Sequence, residues 1–164
     1  MNTLAILLTT MVLQVPPPDA APALQVLVEQ GLSKVEGARF WNREEGPLSM
    51  DLDSYVVALE EKAEVISDRA SFKARTGFDA SISTEEAIRC PTATFCEELD
   101  GGAHFRVDSI EARTPDAIQA VVEFLTIVRR GESTGICRLR VRARARATER
   151  GEWVPDGVEW VSYC

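Results

Sequence analysis

Arg138-Leu139-Arg140-Val141-Arg142-Ala143-Arg144-Ala145-Arg146-Ala147 alternates five arginines with five apolar residues. A side-chain period of two is that of a β-strand, so the arginines take one face and the apolar residues the other. This strand reads as one side of a hairpin. With Arg150-Gly151 as a two-residue loop, Glu149 faces Glu152, and the pairs that follow are Ala147 with Val154, Ala143 with Val158, Arg142 with Glu159 and Val141 with Trp160. The same register sets Cys137 opposite Cys164, at a spacing a disulfide accepts. Pro155-Asp156-Gly157 is the place where a bulge would move the register by one.

Cys90 and Cys96 are then left to pair locally across Pro91-Thr92-Ala93-Thr94-Phe95. A zinc site is disfavoured because this spacing is wider than that of usual zinc knuckles and His104 is the sole histidine. Paired cysteines fit an oxidising compartment. Met1–Ala23 agrees with that address: Leu4–Leu13 is an apolar run too short to span a bilayer, and Ala21-Pro22-Ala23 offers small residues for cleavage. The expectation is a periplasmic or extracellular protein with no transmembrane span in its mature chain.

Upstream of the arginine strand, Ala117–Arg129 is apolar on both parities, as in a central strand, with Glu123 the exception. Ala103–Arg113 precedes it across a Thr114-Pro115-Asp116 turn, so the C-terminal half reads as about four antiparallel strands. Before them, Leu24, Leu27, Val28, Leu32 and Val35 recur at helical spacing from Ala23 to Glu36, interrupted by Gly31, with Gly37 expected to end the helix. Leu48–Asp53 alternates as a short strand, and Val56, Leu59, Ala63 and Ile66 mark a second helix. Another turn of helix is expected near Ser67-Asp68. Ser83 and Glu86 form a capping-box pattern before Ala87-Ile88, with Pro91 closing the turn. The predicted fold is α+β: residues 1–23 an export segment and linker, and residues 24–164 one domain of N-terminal helices packed on an antiparallel β-meander.

Five arginines on one face, about 6.6 Å apart along the strand, repel one another unless acids or solvent relieve them. Residues 24–102 carry 8 basic and 16 acidic side chains, and residues 103–164 carry 10 and 9. An acidic N-terminal half is therefore available to answer the basic face. Left uncovered, the Arg138, Arg140, Arg142, Arg144 and Arg146 face would suit an anionic protein, glycan or lipid headgroup. Nucleic acid is a poorer partner, because the net charge of −8 opposes a polyanion and the aromatic share of 7% offers little stacking surface.

The chain lacks the nucleophile elbow, phosphate loop, dinucleotide fingerprint and paired-histidine metal motif. His104, after Gly101-Gly102, is expected to be exposed and structurally neutral. Asp51 and Asp53 with Glu44 and Glu45 make a poor calcium loop, since position six counted from Asp51 is Val56 where glycine is needed. Glu60, Glu61 and Glu64 read as a solvated helix face. Trp41, Trp153 and Trp160 read as core or rim. No cofactor or metal is expected.

Helices first and a meander last, ending in Arg150-Gly151-Glu152-Trp153-Val154, resembles the ketosteroid-isomerase-like cone fold of the nuclear transport factor superfamily. The chain also looks like small exported bacterial proteins with paired cysteines. The cone-fold resemblance implies a cavity between sheet and helices, in a fold that hosts both enzymes and binding domains. It carries over no active-site residue. The functional expectation is a disulfide-stabilised, non-catalytic binding domain. The alternative is a small isomerase or hydrolase on an apolar substrate, with His104 or a buried acid as general base.

Overall fold

The computed structural model describes residues 20–41, 44, 46, 48–51, 54, 73, 79–81, 83–99 and 102–164. In chain order the elements are α1 (Ala20–Gly37), β1 (Leu48–Asp51), β2 (Asp79–Ser81), α2 (Thr84–Ala87), β3 (Ile88–Thr92), β4 (Phe95–Glu98), β5 (Ala103–Thr114), β6 (Ala117–Arg130), β7 (Ser133–Ala147) and β8 (Trp153–Ser162). The expected meander is β5 to β8. It is extended by β1 and β2 into a six-stranded sheet of order β2-β1-β5-β6-β7-β8, in which β1 runs parallel to both neighbours. The sheet is thus mixed, and one long N-terminal helix is described. The helix expected over Val56–Ile66, the turn at Ser67-Asp68 and Glu60, Glu61 and Glu64 lie outside the described residues.

The apolar side of β7 sets the core. Leu139, Val141, Ala143 and Ala145 are buried beside Ile118, Ala120, Val122 and Phe124 of β6, their ladder partners. Helix α1 closes this layer with Leu24, Leu27, Val28, Leu32 and Val35, all at most 2% exposed. Each such side chain contributes about 1.5–3 kcal/mol of burial. Gly31 faces the sheet, and a Cβ there would stand 2.9 Å from Cε2 of Phe124, so the close approach of helix to sheet depends on glycine.

The helix begins earlier and ends differently than expected. Ala21-Pro22-Ala23, read as a cleavage region, lies in the first turn of α1, and Ala23 is fully buried. At the other end Arg39, at φ 61°, makes the left-handed turn instead of Gly37. Arg39 N donates to Glu36 O (2.9 Å) and Phe40 N to Val35 O (3.2 Å), the paired bonds of a Schellman motif. Phe40 is thereby turned back onto the core, where its ring meets Trp160 edge-on at 6.0 Å.

The β7–β8 register departs from a two-residue loop in three places: the loop and a first bulge cancel, and a further shift at Val161 sets Arg140 opposite Ser162. Gly151, at φ 78°, donates to Thr148 O, and Thr148 N donates to Glu152 O, which makes a three-residue loop. Ala147 therefore faces Trp153 rather than Val154. A bulge at Asp156 restores the expected pairs Ala143–Val158, Arg142–Glu159 and Val141–Trp160. Cys137 and Cys164 are joined, with Cα atoms 5.6 Å apart. Cys90 is joined to Cys96, but their surroundings are a β-hairpin, β3 with β4, where only a loop over Pro91–Phe95 was expected.

Candidate functional site

The arginines of β7 project from the face opposite α1, and the chain's own acids meet four of the five. Arg138 reaches Glu85 of α2 (3.2 Å) and Glu123 of β6 (3.5 Å), and Arg106 reaches Glu123 at 3.0 Å. Arg140 donates through Nε (2.9 Å) and Nη2 (2.5 Å) to Asp108, Arg142 pairs with Glu159 at 2.8 Å, and Arg146 lies 3.7 Å from Asp156. Asp108 and Asp156 are the extra residues of two β-bulges. Counted back from Glu159, parity would direct Asp156 away from the arginines and the bulge re-aims it onto that face, whereas Asp108 shares the parity of Arg106, which already lies on the arginine face beside Glu123. Arg144 makes no ion pair within 4 Å among the described residues, and its guanidinium lies near Gly157. The four paired β7 arginines remain 39–60% exposed, so each contact is worth at most about 1 kcal/mol and the set acts chiefly to cancel repulsion. The hydrogen bond from Arg142 holds the Glu159 carboxyl below its usual range.

His104 was expected on the surface and is instead wholly buried on β5. Its Nδ1 is hydrogen-bonded to Ser49 Oγ of β1, its direct partner in the parallel ladder. The pair brings a hydroxyl and an imidazole together, away from four grooves that other side chains line. Asp51 is occupied locally: its carboxylate accepts from Ser54 N (3.1 Å) and Thr84 N (3.4 Å). No group of three or more metal-ligating side chains is placed to hold an ion among the described residues.

The β3–β4 hairpin presents a site that sequence reasoning missed. Ser83 caps α2 by accepting from Glu85 N, and Leu99 N donates to Ala87 O (2.7 Å), which fastens the base of the hairpin. The Cys90–Cys96 bridge locks its middle, and Thr134 N of β7 donates to Thr94 O (3.2 Å) near its tip. Phe95 and Leu99 are nevertheless 51% and 52% exposed. With Trp41 and Ile127 they line a groove of about 770 Å³, to which Glu97, Glu98, Thr126 and Arg129 also contribute. The legible signal was two short β-prone runs around Ala93-Thr94; without Gly or Asn in the turn it resembled an ordinary loop. A second groove of about 700 Å³ runs between α1 and β8, over Val26, Pro155 and Val158.

Comparison with protein-family models, curated proteins and solved structures gives no match. Among the described residues no helix is long and apolar enough to cross a membrane, and the two disulfides are compatible with an exported protein.

Proposed function

We propose that the protein is an exported, non-catalytic binding domain that recognises a protein partner through the β3–β4 hairpin. One observation carries this reading: two large apolar side chains, Phe95 and Leu99, stand half-exposed on a disulfide-closed hairpin beside a groove. Exposed apolar surface is costly to leave bare, and a rigid hairpin loses little entropy when it docks. Helix first, meander last and a terminal hairpin at Gly151 and Trp153 support a cone-like reading of the fold. The enzymatic alternative of that fold is less supported, because His104 is buried against Ser49.

Selection from a displayed random-peptide library against the oxidised protein tests the reading. The wild type should enrich a consensus that a Phe95→Ser/Leu99→Ser variant fails to retain. No enrichment, or equal enrichment on both proteins, would refute it.

The arginine face supports a second reading, docking of an anionic partner, because Arg144 makes no close ion pair among the described residues and its neighbours stay partly exposed. Titration with a sulfated tetrasaccharide should then show saturable binding that Arg144→Gln weakens. Unchanged or absent binding removes that reading.

A further inference from the structure

We infer that the outer edge of β8 takes up an extended segment of a protein partner as an added strand, one with an acidic residue between two apolar ones. β8 ends the sheet, and among the described residues no strand pairs with its outer side. Thr148 N donates to Glu152 O and Ala147 N to Asp116 O, so the even residues of β7 turn their backbone groups to β8 and the odd ones to β6. Glu159 and Gly157, the ladder partners of Arg142 and Arg144, therefore turn inward, and the N–H and C=O of Val158 and Trp160 point to the open side. Pro155 and the shifts at Asp156 and Val161 confine the usable edge to Gly157–Trp160. Side chains of an added strand alternate between the two faces of the sheet. On the α1 face they meet the groove of about 700 Å³, which is largely apolar and whose lining on the sheet side comes from β8 alone. Glu29 and Lys34, which also line it, carry opposite charges, so that face selects for apolar side chains. On the other face, Arg142 and Arg146 lie against Glu159 and Asp156, whereas Arg144 is exposed and makes no ion pair within 4 Å among the described residues. Because residue 157 is glycine, the Arg144 guanidinium lies across β8, with Nη2 3.3 Å from where a Cβ would stand, which carries its charge toward the edge. An acid opposite Gly157 meets that charge while its two apolar neighbours enter the groove. Glu159 disfavours a second acid at the next position on the same face.

The probe is the acetylated, amidated heptapeptide Ser-Thr-Val-Glu-Val-Thr-Ser, compared with the same peptide carrying Lys for Glu and with one N-methylated at both Val residues, which removes the donors a ladder needs. Each is titrated into the isotope-labelled, oxidised full chain and followed by amide resonances. The parent peptide should shift Gly157–Trp160 and Val26 saturably and slow solvent exchange of the Val158 and Trp160 amides. The Lys peptide should bind about threefold more weakly, as should the parent peptide on Arg144→Gln, and the difference should shrink as salt rises. The N-methylated peptide should not bind. Strand addition is overturned if no peptide binds, if the N-methylated or the Lys peptide binds as tightly as the parent, or if the shifts lie at Phe95 and Ile127. It is also overturned if the free protein sediments as a dimer with the Val158 and Trp160 amides already protected, which would assign the edge to a second copy. Strand addition shares Arg144 with the anionic-partner reading and no residue with the hairpin. If the sulfated tetrasaccharide binds while N-methylation makes no difference, docking on the arginine face stands and strand addition is what fails.

Discussion

Replacing Gly31 by alanine sets two effects of known size against each other. In an exposed helix interior the change gains about 1 kcal/mol of helix propensity. Here the new Cβ would lie 2.9 Å from Cε2 and 3.0 Å from Cζ of Phe124, whose ring is fully buried and packed 5.9 Å from that of Phe105. The ring has no solvent to move into, so the helix must rise or the two rings must shift, at a cost of about 1–3 kcal/mol. The net expectation is a loss of about 1 kcal/mol, a fall in Tm of about 2–4 °C for a chain of this size. Urea unfolding of the oxidised protein reads it as a lower midpoint at unchanged slope. In a Phe124→Leu background the clash is relieved, and Gly31→Ala should cost less by at least about 0.5 kcal/mol. Stabilisation by Gly31→Ala in the wild type, or additivity with Phe124→Leu, would refute the close approach of α1 to β6.

Three further outcomes follow from local geometry. Arg39→Gly should stabilise the protein by about 0.5–1 kcal/mol, since glycine accepts the left-handed turn without penalty; a loss in the same unfolding assay would contradict the Schellman motif. Removing the Cys137–Cys164 bridge, which closes a separation of 27 residues, should cost about 3.5 kcal/mol by chain entropy, and removing Cys90–Cys96, with a separation of 6, about 2 kcal/mol. Peptide mapping without reduction should recover these two pairs, and the reverse order of costs would count against the entropic account. Glu159 should titrate below the ordinary value of 4.5 because Arg142 donates to it, and Arg142→Gln should return it toward that value. A depressed folded pKa stabilises above the unfolded value and is lost on acidification, so this contribution fades as pH falls below about 4.5. Carboxyl chemical shifts followed through the titration would show no difference between the two proteins if the pair does not form in solution.

The parts of the fold legible in the sequence are those fixed by period. The arginine alternation gives both faces of β7, and apolar residues at helical spacing give the buried face of α1, because burial follows directly from those repeats. The terminal register was legible in its centre, at Val141–Trp160, only because a longer loop and a later bulge cancel. Bulges leave little trace in composition, and so the placement of Asp156 on the arginine face was hidden. The acidic N-terminal half, expected to supply most of the compensating charge, supplies Glu85 to Arg138; Glu159 and Glu123 were legible as acids of adjacent strands, and Asp108 and Asp156 join them from the same sheet. His104 looked like a loop residue beside two glycines; its burial arises from β1 pairing in parallel with β5, a contact between residues 55 positions apart. The hairpin site was hidden for a related reason. The Cys90–Cys96 spacing announces a bridge but not which side chains it holds out to solvent.

The central claim is that Phe95 and Leu99 form a recognition surface and not part of the core. The unfolding free energy of the oxidised Phe95→Ser/Leu99→Ser protein tests it most directly. Half-exposed side chains that serve recognition should cost less than about 1 kcal/mol together, whereas losing a packed core phenylalanine alone costs about 3–5 kcal/mol. A loss below about 1 kcal/mol is the expected result; a loss above about 3 kcal/mol would place both side chains in the core and contradict the account.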